Sequence, residues 1–256
     1  MKILAIGDLV GNSGVRKLKQ ELNKIIEKEK INFVIVNAEN AGEGMGITQK
    51  NFDDILEEKV DVITMGNHTW GKKDIFKFVN HPKLLRPANY CEGVPGKGYG
   101  IYENLGKKIA VINLIGRVDV NVLSENPFLI AKNLIEELKY KTDIIIIDFH
   151  AEATAEKIAL GYYLDGKVTA IFGTHTHVQT ADEKILEKGT GYITDIGMTG
   201  PKNSVIGMDI KASLKRFETT LPERYKIAEG ECILNGVIFN VDNSTNKVKE
   251  VKRINM

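Results

Sequence analysis

Asp143–His150 reads Asp-Ile-Ile-Ile-Ile-Asp-Phe-His, four consecutive isoleucines entered and left by polar residues. Stiff β-branched side chains favour an extended chain, and a run apolar on both faces asks to be covered on both sides, as a buried strand is. Four other stretches share this character: KILAIG at Lys2–Gly7, FVIVNA at Phe33–Ala38, DVITMG at Asp61–Gly66 and VTAIFG at Val168–Gly173. Polar or glycine turns follow them, and helical patterns are expected over Val15–Lys28, Gln49–Glu58, Phe128–Tyr140 and Ala153–Leu160. Strands alternating with helices indicate a layered α/β fold. Two hairpins complicate it: Gly98–Glu103 with Lys107–Asn113 across Asn104-Leu105-Gly106, and Cys232–Val241 with Val248–Ile254 across Asp242–Asn246. The sheets should therefore be mixed, with antiparallel edges.

With 256 residues, 43% of them hydrophobic, the chain can bury a large core and is expected to form one domain over residues 1–256. No repeat, low-complexity tract or linker divides it. Its 35 basic and 34 acidic residues are interspersed, which argues against a groove for long nucleic acid or an anionic membrane face. Cys91 and Cys232 are isolated and suggest neither a disulfide framework nor a zinc ribbon. The opening run has no basic leader or long apolar segment, and no later run is long enough to span a bilayer. A cytoplasmic protein is expected.

The unusual polar residues stand immediately after the strand-like runs. Asp8 follows the first, Glu39-Asn40 the second, Asn67-His68 the third, His150 the fourth, and His175 and His177 the fifth. In open α/β sheets the carboxyl ends of the strands form the rim on which ligand sites assemble. Four of the five histidines thus share one edge with two carboxylates and two carboxamides. Such a mixture of oxygen and imidazole donors suits Mn, Fe, Zn or Ni better than Ca or Mg. Residues 175 and 177, alternate positions in an extended segment, point the same way and can reach one ion or two neighbouring ones. Asp8 and Glu39 could each be a helix N-cap, but that account does not extend to the whole set. The remaining histidine, His81, reads as an ordinary histidine with a satisfied hydrogen bond.

Two ions about 3.5–4 Å apart can share a bridging carboxylate and a bridging hydroxide, acidify that water and bind phosphoryl oxygens. Glu39 is the candidate bridge. Two carboxylates leave two divalent ions with net positive charge, a local anion site that needs no basic surface.

At these residues the sequence resembles the calcineurin-like metallophosphoesterase superfamily. Its motifs appear in order as Gly7-Asp8-Leu9-Val10, Ala38-Glu39-Asn40, Gly66-Asn67-His68, His150 and Gly173-Thr174-His175-Thr176-His177. Val10 stands where the superfamily usually has a histidine, Glu39 replaces the usual bridging aspartate, and Thr69 replaces a frequent acid. With Asn37–Ala41 and Thr194–Gly200, these departures are similar to the YmdB-like bacterial branch. The resemblance implies a four-layer sandwich, two mixed β-sheets flanked by helices. It also implies two transition-metal ions per chain, iron or manganese foremost, then zinc or nickel. Asp8, Glu39 and His177 would hold one ion, and Glu39, Asn67, His150 and His175 the other, with Asn40 serving either. The implied activity is hydrolysis of phosphodiesters, including 2',3'-cyclic nucleotides. His68, which adjoins Asn67 but is not a ligand in that pattern, reads as the catalytic acid that protonates the departing oxygen, the alternative being a hydrogen bond that only orients a ligand.

Other readings compete. A phosphomonoesterase or nucleotidase uses the same chemistry; a nuclease is disfavoured by the neutral surface; a non-catalytic scaffold would not keep so many costly polar residues. Gly42–Gly46 lacks the lysine of a phosphate-binding loop and reads as a turn bordering the cleft. Trp70 reads as packing of the turn ahead of stacking on a substrate base, and Arg117 as reaching a phosphate or pairing with an acid. A small phosphodiester is the expected partner, and a homo-oligomer is compatible with the sequence.

Overall fold

The computed structural model describes residues 1–256. In chain order its elements are β1 (Lys2–Ile6), β2 (Asp8–Leu9), α1 (Gly11–Glu29), β3 (Phe33–Asn37), α2 (Gln49–Leu56), β4 (Val62–Thr64), β5 (Leu84–Leu85), β6 (Tyr99–Asn104), β7 (Lys107–Ile115), α3 (Pro127–Leu138), β8 (Ile144–His150), α4 (Thr154–Leu164), β9 (Ala170–Thr174), β10 (Lys184–Ile185), β11 (Gly191–Ile193), β12 (Met198–Pro201), α5 (Ile210–Thr219), β13 (Cys232–Ile233), β14 (Asn235–Val241) and β15 (Val248–Asn255). The strands form sheets ordered β15-β14-β1-β3-β4-β5, β10-β11-β9-β8-β7-β6 and β13-β12-β2. The centre of each large sheet is parallel, while β14, β15, β6 and β10 run antiparallel at the edges. This is the mixed α/β arrangement expected from the runs and hairpins.

Side chains alternate across a strand, so each long strand divides its residues between two cores. Leu4, Ile6, Val34, Val36 and Ile63 face α1 and α2, meeting Leu18, Leu22, Phe52 and Ile55. Ile3, Ala5, Phe33 and Ile35 face the other way and join Ile109, Val111, Ile144, Ile146 and Phe172 of the second sheet. Ala110, Ile112, Ile145, Ile147 and Phe149 meet Ala131, Ile135, Leu160 and Leu164 of α3 and α4. No helix is long and apolar enough to cross a membrane.

Local signals set the element ends. Thr48 Oγ1 accepts from Asn51 N while the Asn51 side chain accepts from Thr48 N, a capping box that starts α2. Asn126 caps α3, with Pro127 at its first position. The hairpin turn puts Leu105 at φ 50° and Gly106 at φ 72°, the paired left-handed residues of a tight β-turn. α1 begins four residues before the expected Val15. Gly11 and Gly14 carry no apolar periodicity, but a Cβ on Gly14 would lie 2.3 Å from Thr199 O, so glycine lets β12 approach. The three-stranded sheet and α5 were not expected. β2, β12 and β13 are too short for a periodic signal, and only Ser213 of α5 is buried.

One polar residue fastens the large sheets together. Asn113 Nδ2, on β7, donates to Met65 O at 2.7 Å and Leu85 O at 3.0 Å, at the ends of the opposite sheet. Asn113→Leu should leave the buried Met65 carbonyl without a donor and cost about 1–3 kcal/mol. Urea unfolding followed by circular dichroism should show a lower midpoint with an unaltered native spectrum; an unchanged midpoint would refute this role for the staple.

Candidate metal centre

The inter-sheet face is apolar at the amino ends of the strands and polar at their carboxyl ends. On β8 the residues facing this core are Ile144, Ile146, Asp148 and His150; on β3 they are Phe33, Ile35 and Asn37; on β9, Ala170, Phe172 and Thr174. The turns beyond β3, β4 and β9 bring in Glu39, Asn40, Asn67, His68, His175 and His177, and β2 supplies Asp8. The seven expected ligands and His68 thus lie at one rim. Asp8, Glu39, Asn40 and His150 are buried; Asn67, His68, His175 and His177 are half-buried.

The donor atoms fall into two overlapping groups. Around His150 Nε2 lie Asn67 Oδ1 at 2.9 Å, His175 Nδ1 at 3.0 Å and Glu39 Oε2 at 3.2 Å. Ligand atoms of Glu39, His150 and His175 all fall within 4.8 Å of one another, a spacing that can hold a metal ion. Around His177 Nε2 lie Asn40 Nδ2 at 3.1 Å and Asp8 Oδ1 at 3.8 Å, and Asn40 Nδ2 also donates to Glu39 Oε1 at 3.0 Å. Glu39 therefore turns one oxygen toward each group.

Hydrogen bonds on the far side of each imidazole fix which nitrogen is free. His150 Nδ1 lies 2.9 Å from Thr174 Oγ1, whose own proton goes to Asp148 Oδ1 at 2.7 Å, so the imidazole donates and Nε2 is left inward. His177 Nδ1 donates to Ile206 O at 2.8 Å, leaving Nε2, and His175 Nε2 reaches Glu152 Oε2 at 3.1 Å, leaving Nδ1. Three ring nitrogens are thereby aimed at one space, and a metal ion bound there would take the place of the proton on His150 Nε2. Asp8 Oδ1 is buried without a hydrogen-bond partner. A buried oxygen left so is costly unless a cation completes it. The residues fit a metal site on these observations. Asn40 belongs to the cluster, but its nitrogen faces the lone pairs while its Oδ1 lies 2.8 Å from His68 Nδ1.

Electrostatics sets the groups apart. Burial raises the Asp8 carboxyl, partly offset by His177 and His150. Burial also opposes ionisation of Glu39, yet the charges and hydrogen bonds of His150 and His68 hold it well below the usual range. Burial disfavours the His150 cation, but Glu39, Asp8 and Asp148 outweigh it and raise the imidazole to about 9. His175 is lowered to about 3, first by burial and then by His150 beside it.

Residues the sequence reading did not single out hold this geometry. His175 and His177 do not lie in the extended segment expected: β9 ends at Thr174, and their φ angles are 100° and 64°, a region costly for side-chain-bearing residues. Between them Thr176 is clamped: Asp195 Oδ2 accepts from its backbone N at 3.2 Å and its Oγ1 at 2.7 Å. Lys157 of α4, 2% exposed, reaches the same oxygen at 2.6 Å. Beneath His150, Asp148 also accepts from Thr64 Oγ1 at 2.5 Å and Asn37 Nδ2 at 3.0 Å, and burial raises its carboxyl to about 6. A signal for Asp148 was available, since it interrupts an apolar run two residues before His150. Glu152 and Lys157 carried none, and Asp195 entered only as part of the Thr194–Gly200 stretch, without a role.

Val10 is buried, against Gly200 and Gly207, and Thr69 Oγ1 donates to Gly66 O at 2.6 Å. His81 Nδ1 accepts from Lys83 N and its ring meets Phe52 edge-on. Trp70 stacks on Phe76 at 5.5 Å, Gly44 lines the cleft, and Arg117 is exposed with its backbone N bound by Glu156.

Gly66 decides whether the rim can close. A Cβ there would lie 2.2 Å from Glu39 Oε2 and 2.4 Å from His150 Nε2. Gly66→Ala should displace both side chains and lower metal uptake by about tenfold or more, measured by calorimetric titration of the metal-free protein. Wild-type uptake by a folded variant would contradict this packing of the rim.

The chain matches the YmdB-like protein family over residues 4–254. It is 51% identical over 255 residues to the 2',3'-cyclic-nucleotide 2'-phosphodiesterase of Bacillus subtilis strain 168, covering 99% of this chain and 96% of the relative. Among solved structures, it superposes on a novel phosphatase from Mycoplasma pneumoniae with TM-score 0.95 and 40% identity, over 100% of this chain and 93% of that one. A hypothetical protein from Thermus thermophilus gives TM-score 0.94 at 34% identity, over 100% of this chain and 99% of that one. The chain belongs to the YmdB-like protein family.

Proposed function

We propose that this chain is a dinuclear metal-dependent phosphodiesterase acting on phosphodiesters such as 2',3'-cyclic nucleotides. The observation that carries the reading is the convergence of three imidazole nitrogens, both oxygens of Glu39 and the unpartnered Asp8 Oδ1 on one rim. The 51% identity to a cyclic-nucleotide phosphodiesterase supports the substrate class and hydrolytic activity. Asp8, Glu39 and His177 are assigned to one ion and Glu39, Asn67, His150 and His175 to the other. Asn40, beside Glu39 and His177, is placed to serve either ion. Iron or manganese suits this set best, with zinc or nickel next. Such a pair supplies an acidified water and positive charge for the phosphoryl oxygens.

The chain's own residues do the rest. Glu39, nearly fully buried, keeps its charge and spans the two groups. His68 lines the same cavity as Glu39, His175 and His177, and Asn40 occupies its Nδ1, so its Nε2 is the nitrogen available to a substrate. We assign His68 as the acid that protonates the departing oxygen. The reading takes residues 1–256 as one domain of the cytoplasm, and its helix-sheet-sheet-helix stacking as the four-layer sandwich of metallophosphoesterases.

Elemental analysis of metal-replete protein should give two transition-metal ions per chain. Asp8→Ala, Asn67→Ala and His175→Ala should each lower occupancy and turnover together; full occupancy with unchanged turnover in all three would sink the cage. Bis-p-nitrophenyl phosphate and a 2',3'-cyclic nucleotide should be hydrolysed faster than the corresponding monoesters, and the reverse order would favour a phosphomonoesterase.

His68→Ala separates an acid from a structural residue. A ribose alkoxide needs a proton as it leaves, whereas a nitrophenolate departs without one. The variant should keep both ions, lose about a hundredfold or more on a cyclic nucleotide, and lose much less on bis-p-nitrophenyl phosphate. Equal losses on both substrates, or loss of metal, would remove the acid assignment.

A further inference from the structure

We propose that Tyr225 and Ile206 form a wall against which the heterocyclic base of a nucleotide substrate stacks, an inference that rests on the nucleotide phosphodiesterase reading. Both line the cavity of about 250 Å³ that contains His68, His175 and His177, and they are its hydrophobic members. The opposite lining is polar and committed elsewhere. Glu152 is tied to His175, Thr176 to Asp195 and Asn40 to His68. For a nucleotide with its phosphate at the histidines, these two side chains are the apolar surface within this cavity that its base can meet.

Two features show that this surface is held in place rather than left over. Ile206 sits at φ 50° and Gly207 at φ 99° in a tight turn closed by reciprocal backbone hydrogen bonds of 2.9 Å between Val205 and Met208. A β-branched residue is a poor choice for a left-handed turn position, costing on the order of 1–3 kcal/mol, and here its side chain is 49% exposed. Burial therefore does not account for Ile206. Its carbonyl receives His177 Nδ1, so the turn that presents the side chain is registered directly to the site. A second bridge, between Met208 and Ile227, ties this turn to the segment carrying Tyr225.

Tyr225 is backed by glycine. Gly44, at φ 83°, leaves room for the ring, since a Cβ there would fall 2.1 Å from Tyr225 Cε1. The ring is 38% exposed, and burial alone perturbs its hydroxyl, with no hydrogen-bond partner contributing. One side of an aromatic ring is thus supported by the Gly42–Gly46 turn while the residue borders the cavity. Stacking on such a ring tolerates any base, because every base offers a π-face. The wall carries no free amide or carboxylate to read base edges, so purine and pyrimidine nucleotides should both be accepted.

The test compares a nucleoside 2',3'-cyclic phosphate with the base-free methyl riboside 2',3'-cyclic phosphate on the metal-replete enzyme. Wild type should favour the nucleotide in KM by about five- to a hundredfold, the range that stacking on one aromatic supports. Tyr225→Ala should lose most of that preference and Tyr225→Phe should keep it. An equal preference in Tyr225→Ala and wild type, no preference in wild type, or an equal loss in Tyr225→Phe would overturn the wall. Calorimetric affinity for adenosine 5'-monophosphate against ribose 5-phosphate, in the same three proteins, gives a readout independent of turnover. If neither cyclic compound is hydrolysed, the phosphodiesterase reading fails, and the affinity ratio alone decides the wall: loss only in Tyr225→Ala supports it, any other pattern overturns it.

Discussion

A buried carboxylate beneath the rim organises the rest. Asp148 is fully enclosed, and it receives Asn37 from β3, Thr64 from β4 and Thr174 from β9 while lying on β8. These strands belong to both large sheets, so one side chain gathers their carboxyl ends. Burying a charge in this way is costly, and three donors, with His150 nearby, offset only part of that cost, so the carboxyl stays raised to about 6. The geometry has a direction as well. Because Thr174 gives its proton to Asp148, its oxygen can only accept from His150 Nδ1, which leaves His150 Nε2 aimed at Glu39 and Asn67.

The inter-sheet core explains why this polar cluster can exist at all. Ile144 and Ile146, Phe33 and Ile35, and Ala170 and Phe172 fill its lower part with apolar contacts that hold the sheets together. The next positions on the same faces, Asp148, Asn37 and Thr174, then need not contribute apolar burial. A second buried charge pair supports the most strained part of the rim. Lys157 and Asp195 lie 2.6 Å apart, and Asp195 clamps Thr176 between two histidines at positive φ. Buried ion pairs are poor sources of net stability but fix geometry well, and geometry is what this loop requires.

Much of this was legible in the sequence because strand ends are marked. The β-branched runs gave β1, β3, β4, β8 and β9, and the polar residues that follow them are the ones that meet at the rim. The residues that hold the ligands were harder to read. Asp148 shares the period-two face of Ile144 and Ile146, a pattern that continues through His150. Lys157 resembles any lysine on a helix until α4 is packed against the loop containing Asp195. The short strands β2, β12 and β13 depend on one another for pairing, and α5 buries too little surface to show periodicity.

The two sides of the cavity are built from different kinds of structure, and this bears on how chemistry and substrate choice are divided. His150 ends a central parallel strand, and Glu39, Asn67 and His175 stand just beyond three others, so their placement follows from sheets with large cores on both faces. Ile206 and Tyr225 lie on turns and irregular backbone around α5, where little apolar surface is buried. A substitution there costs little folding energy, whereas one at the strand ends disturbs the sheet contacts that align the donors. The hydrogen bond from His177 Nδ1 to Ile206 O joins the two halves. Through it, the cluster at the strand ends sets the position of the turn that carries Ile206, although that turn itself buries little apolar surface.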